Sequence, residues 1–152
     1  MKKLFLLFPL LVPLQSCSDA DATSPVPEME FQVLHDFQYN EYANTTAKST
    51  ILINSQSEYE SELLKRSSDT PQNIDFDSET VLLVDMGTQS SGGYSLSVTL
   101  TEHNDHILAS IDYQFPGANC GVTTALTNPT QIIKIETTKY VLVSEDISYS
   151  DC

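Results

Sequence analysis

Basic residues are scarce in this chain. Seven Lys and Arg stand against 21 Asp and Glu in 152 residues, a formal net charge of −14. Nucleic-acid binding rests on Lys and Arg that displace counterions from phosphates, so that class is excluded. The same shortage excludes a basic patch that docks on anionic lipid. The apolar run over residues 4–14 is interrupted by Pro9 and Pro13 and falls short of the ~20 residues a membrane-spanning helix needs. There is no Gly-x-Ser-x-Gly nucleophile signature, no regular EF-hand ligand spacing and no internal repeat. Disorder is excluded by the opposite kind of count, since 40% of the residues are hydrophobic. The length fits one domain, at roughly 100–200 residues each.

What the N-terminus does contain is ordered like an address. Lys2 and Lys3 precede the apolar run, and Leu14-Gln15-Ser16-Cys17 closes it. That end resembles the bacterial lipobox, in which a Leu three residues before Cys and a small residue directly before it precede cleavage. The resemblance implies a signal peptide over residues 1–16 and lipidation, palmitate included, at Cys17. Several acyl chains on one Cys anchor firmly, at ~0.8 kcal/mol per buried CH₂. Removing those 16 residues takes away two Lys and no acid, leaving 136 residues at a formal charge of −16. Ser18 rather than Asp follows Cys17, which favours an outer-membrane lipoprotein, facing the periplasm or the cell surface. Residues 17–30, with Pro25 and Pro27 and little to bury, read as the lipidated Cys and a flexible tether. Residues 31–152 read as one domain.

Within that domain, Phe31-Gln32-Val33-Leu34-His35 has partial strand character and Ser49-Thr50-Ile51-Leu52-Ile53 reads as a buried strand. Ser55 with Glu58 forms a capping box that starts a helix over about 55–66, with Tyr59, Leu63 and Leu64 on its apolar face. Lys65 and Arg66 are expected in its last turn, at the negative end of the dipole. Val81-Leu82-Leu83-Val84-Asp85-Met86 reads as a continuous apolar run suited to a central strand. Tyr94, Leu96, Val98 and Leu100 alternate with small polar residues, and Ile107, Ala109, Ile111, Tyr113 and Phe115 repeat the alternation after a turn at His103-Asn104-Asp105, which predicts a hairpin. Gln131-Ile132-Ile133-Lys134-Ile135 and Tyr140-Val141-Leu142-Val143 read as the last two strands. The expected fold class is α+β, a mostly antiparallel sheet or partly open barrel with one helix.

With Cys17 lipidated, Cys120 and Cys152 remain. A compartment outside the inner membrane permits a disulfide between them; free thiols or a thiolate nucleophile are the alternatives, and Cys120 has no sequence-local His to serve as its base. His103-x-x-His106, beside Glu102 and Asp105, falls at the hairpin turn with no third metal ligand evident. His35-Asp36 supplies a base and an orienter without a recognisable nucleophile. Asp75, Asp77 and the Glu145, Asp146 and Asp151 stretch read either as a solvated acidic surface or as a Ca²⁺ site without regular spacing. Asn44-Thr45-Thr46 is formally a glycosylation sequon, which the bacterial lipobox makes irrelevant. No catalytic residue, metal site or cofactor is assigned.

Several pieces over residues 74–135 resemble the C-terminal domain of the protease complex subunit PrcB family. They are Ile74-Asp75-Phe76, the apolar strand to Gly87, Ser91-Gly92-Gly93-Tyr94-Ser95-Leu96, Phe115-Pro116-Gly117, the stretch from Cys120-Gly121-Val122 to Thr127-Asn128-Pro129, and Ile132-Ile133-Lys134-Ile135. The resemblance implies a non-catalytic accessory lipoprotein, whose namesake belongs to a cell-surface protease complex. A protein or peptide partner, a protease among the candidates, is expected. Gly92, Gly93 and Tyr94 are open to two readings, a structural turn over a core Tyr or an aromatic rim for peptide binding. Two other function classes remain: a small hydrolase using His35 or the His103 and His106 pair, and a structural surface lipoprotein.

Overall fold

The computed structural model of the chain describes residues 27–41 and 45–152. The residues read as a signal peptide, Cys17, most of those read as a tether, and the sequon residue Asn44 lie outside the described residues. In chain order the elements are β1 (Glu28–Met29), β2 (Gln32–Phe37), β3 (Ser49–Ile53), α1 (Gln56–Leu64), β4 (Glu79–Asp85), β5 (Ser95–Glu102), β6 (His106–Pro116), β7 (Thr130–Glu136) and β8 (Tyr140–Ser150).

The strands form two four-stranded sheets, ordered β1-β5-β6-β8 and β2-β7-β4-β3. The expected α+β class with one helix among the described residues is what forms, as two sheets rather than a closed barrel. The alternating segments pair as the predicted hairpin, Ser95 opposite Gln114 through Glu102 opposite Ile107. All pairings are antiparallel except β6 with β8. Parallel neighbours need a crossover, and β7 supplies it, carrying the chain through the second sheet before β8 returns beside β6.

Alternation explains the first core. Val98 and Leu100 of β5 and Ile107, Ala109, Ile111 and Tyr113 of β6 pack on Leu82 and Val84 of β4 and Ile133 and Ile135 of β7. The other face of the second sheet is covered by α1, whose Tyr59 and Leu63 meet Leu34, Ile53, Val81, Leu83 and Ile132. Strand β4 is therefore covered on both faces, which is why its apolar run is continuous rather than alternating. The partial pattern in β2 has a cause as well: its register with β7 shifts between Val33 and His35, a bulge that breaks the period of two.

Three boundaries differ from expectation. Glu28 and Met29 pair with Thr101 and Leu100, so paired structure starts inside the segment read as tether, where Met29 packs against the core. Strand β8 runs on to Ser150, because an edge strand needs only its ladder with β6 and not a hydrophobic stripe. The helix ends at Leu64 with Lys65 as its cap. The Ser55 hydroxyl accepts the Glu58 N–H at 3.3 Å as the capping box requires, while the Glu58 carboxylate takes the N–H of Asn54 rather than that of Ser55. Arg66 lies just past the helix, donates to the Glu62 carbonyl of its last turn, and is buried, for a reason that lies at the end of β4.

Candidate functional site

Strand β4 ends on Asp85, a fully buried carboxylate. Burying a charge is costly unless it is paired and hydrogen-bonded, and Asp85 has three donors. Arg66 Nε donates to Oδ2 at 2.9 Å, while Asn128 Nδ2 and the Gly87 N–H donate to Oδ1 at 2.9 and 2.8 Å. Arg66 Nη1 also donates to the Glu62 carboxylate and carbonyl at 2.8 and 2.9 Å. Burial pushes the Glu62 carboxyl up, but hydrogen bonds from Lys65 and Arg66 outweigh it and hold the group below its ordinary value. Helix end, strand end and the 117–129 loop are thus joined through one buried ionic network.

Asn128 carries that network to the surface. Its Nδ2 also donates to the Thr46 hydroxyl at 3.0 Å and its N–H to the Gln38 carbonyl at 2.8 Å. The Met86 N–H donates to the Pro129 carbonyl at 2.9 Å, so the extended backbone that Asn128-Pro129 requires is locked beside the last residues of β4. At its other end the loop is tied down covalently. Cys120 and Cys152 form a disulfide, with Cα atoms 5.3 Å apart. Gly117 is needed where the loop leaves β6, since a Cβ there meets the Ser150 carbonyl oxygen at 2.4 Å.

The Gly-Gly turn braces this loop. Gly93 takes φ +88°, and a Cβ at that position meets Val122 Cγ1 at 3.0 Å. The Gly92 N–H donates to the Thr123 carbonyl at 3.0 Å, and Gln89 and Thr127 exchange two backbone hydrogen bonds. Tyr94 sits half-buried, its ring edge-on to Phe115 with centroids 5.2 Å apart.

Between the loop and the segment before β3 lies a cleft of about 200 Å³, lined by Tyr39, Asn40, Thr45, Thr88, Leu126, Thr127 and Asn128. Ligand pockets run to roughly 300–1,000 Å³, and this cleft falls below that range. Its rim is apolar and open, with Leu126 65% and Tyr39 61% exposed. Its floor is polar and held by the Asp85 network.

The histidines stand elsewhere. His35 lies 3.2 Å from Asp69 and 2.8 Å from the Tyr59 hydroxyl, not against Asp36, because successive strand residues point to opposite faces. His103 and His106 stack 4.5 Å apart at the hairpin turn, His106 Nδ1 lies 2.8 Å from Asp105, and that bond holds the Asp105 carboxyl below its ordinary value. Asp75 accepts from Ser78 and from the Asp77 N–H, a local turn. Glu145 points inward, its carboxylate accepting from Lys48 Nζ at 2.6 Å and from the Thr50 and Tyr113 hydroxyls at 2.5 and 3.2 Å. Among the described residues no group of three His, Cys, Asp or Glu is arranged to hold a metal ion. Sequence reasoning gave Arg66, Asp85 and Asn128 no role in a site; an acid within a continuous apolar run was the available signal.

Residues 80–136 match the family model described as PrcB C-terminal. The matched stretch runs from β4 to β7 and contains the Gly-Gly turn, Cys120, the cleft-lining loop and both Asp85 and Asn128. No curated protein and no solved structure matches the chain.

Proposed function

We propose that this protein is a non-catalytic accessory lipoprotein of the bacterial envelope, binding a secreted or surface protein for which a protease is the leading candidate. The observation that carries this reading is the PrcB C-terminal match over residues 80–136, since that family is associated with a protease complex. The cleft supports it, being sized for one side chain of a partner and floored by groups that other residues hold in place. The lipobox at Cys17 supports placement at the outer membrane, with the acidic domain held off the surface rather than lying on it.

Deletion tests the reading in the native organism. Loss of the gene should lower the amount or activity of one envelope protease, and restoring the chain should recover it. Unchanged activity across the envelope proteases contradicts the protease assignment. Metabolic labelling with palmitate tests the anchor: label should enter the wild type and be lost in Cys17→Ala, and equal labelling of both contradicts it.

A further inference from the structure

Strand β8 is the last strand of its sheet, and only β6 pairs with it among the described residues. Eleven residues of backbone therefore present an open edge. Long exposed edges are normally blunted by Lys, Pro, a bulge or an inward-pointing charge; of these β8 carries only the inward-facing Glu145, whose carboxylate Lys48 and Thr50 hold, and it runs without a register break from Tyr140 to Ser150. Instead it exposes large apolar side chains: Leu142, Val143, Ile147 at 56%, Tyr149 at 68%, and Tyr140 at its start.

The register explains that exposure. Val141, Val143, Glu145, Ile147 and Tyr149 share the inward face, opposite Ile107, Ala109, Ile111, Tyr113 and Phe115 of β6. Val141 is buried, and the others are exposed. Glu145 alone reaches back across to Thr50 and Lys48, at the β3 margin of the facing sheet. The outward face carries a second imbalance. Asp146 and Asp112 stand at directly opposed register positions; Asp112 accepts the Ser148 hydroxyl at 2.8 Å, and neither carboxylate is ion-paired among the described residues. Like charges directly opposite each other destabilise a sheet.

We propose that β8 is a docking edge for an extended cationic segment of a protein partner. The segment pairs its backbone with β8, lays apolar side chains beside Val143, Ile147 and Tyr149, and sets a Lys or Arg over Asp146 and Asp112. A second copy of this chain does not fit that description, since antiparallel β8 edges bring Glu145 and Asp146 against their own kind. Strand addition of this sort draws affinity from main-chain hydrogen bonds and selectivity from alternate side chains. The proposal rests on the accessory reading for its biology, and its test does not.

The probe is a labelled eight-residue peptide of alternating Lys and Val, titrated by fluorescence anisotropy into the mature chain in mild detergent. Binding should weaken by about tenfold or more in Asp146→Lys and Ile147→Lys, and in the same peptide N-methylated at alternate backbone positions. Asp36→Lys makes the same charge change at an exposed position of β2, in the other sheet, and should leave binding nearly unchanged. Equal weakening by Asp36→Lys and Asp146→Lys, undiminished binding of the N-methylated peptide, or no binding by the wild type overturns the proposal. Capture of an envelope partner equally by wild type and Ile147→Lys leaves the accessory reading standing and removes β8 from it. Peptide binding that depends on β8, with no envelope partner captured, does the reverse.

Discussion

Strands β4 and β8 bound the range of environments in this fold. β4 lies inside its sheet between β7 and β3, with the sandwich core on one face and α1 on the other, and its last five residues are all buried. β8 lies at the margin of its sheet, and Val141 is its one buried residue. The charged groups follow the same division. Asp85 at the end of β4 is sealed off and receives three donors, whereas Asp146 in the middle of β8 is exposed and shares its position with a second carboxylate. Position in the sheet order, more than the hydropathy of the strand itself, decides which apolar residues stabilise the fold and which are left to meet a partner.

The contrast breaks first at Asp85. Asp85→Ala leaves the Arg66 guanidinium buried beside Glu62 alone, and removing one member of a buried ion pair costs about 3–5 kcal/mol. Urea unfolding should show a loss of that size, and a loss under about 1 kcal/mol contradicts the network's burial. The disulfide comes next, because it ties the far end of β8 to the loop that carries Asn128. Cys120→Ser and Cys152→Ser should each cost about 3.5–4 kcal/mol by loop entropy, less any strain. Their unfolding midpoints should agree, and clearly unequal losses count against one shared bond.

Much of this arrangement is legible in the residues. The continuous run at Val81 predicts a doubly covered strand, the two alternating segments predict their own hairpin, and Ser55 with Glu58 marks the helix start. These signals are local, set by side-chain period and capping chemistry. Partition into two sheets is not local: nothing in Tyr140-Val141-Leu142-Val143 says that β8 crosses over to lie parallel to β6. The Arg66–Asp85 pair spans 19 residues, and Arg66 reads as a helix-end cation until the buried acid that needs it is seen. The disulfide was legible because the lipobox reading sets Cys17 aside, which leaves Cys120 and Cys152 as the one pairing within the chain.

Acid titration sharpens the comparison at lower cost. The Glu145 carboxyl on β8 lies below its ordinary 4.5 because Lys48 and Thr50 donate to it, and Glu79 on β4 does so through Lys134. A depressed folded-state pKa gives stability that is present above pH 4.5 and is lost as pH falls through the lower folded value. Tyr113 has the opposite sign: burial pushes it from 10.0 up to about 12, so its contribution is full below pH 10 and lost as pH rises toward 12. Melting temperature should fall as pH drops below 4.5, less steeply in Glu145→Gln and Glu79→Gln than in the wild type. A melting temperature that stays level through that range contradicts these pairings.

The smallest effect is expected on β8 itself. Leu142→Ala and Ile147→Ala remove exposed side chains and should change stability by no more than about 0.5 kcal/mol in denaturant unfolding. A loss above about 2 kcal/mol at either position means that these side chains are packed, and the open margin of the sheet is then lost as an idea.

The central claim is that the domain exists to hold another protein. Quantitative capture from the native envelope, with the affinity-tagged chain against a scrambled-sequence control, tests it most directly. The account predicts one secreted or surface protein retained in near-stoichiometric amount, with a protease as the leading identity. Recovery of nothing above the control contradicts it.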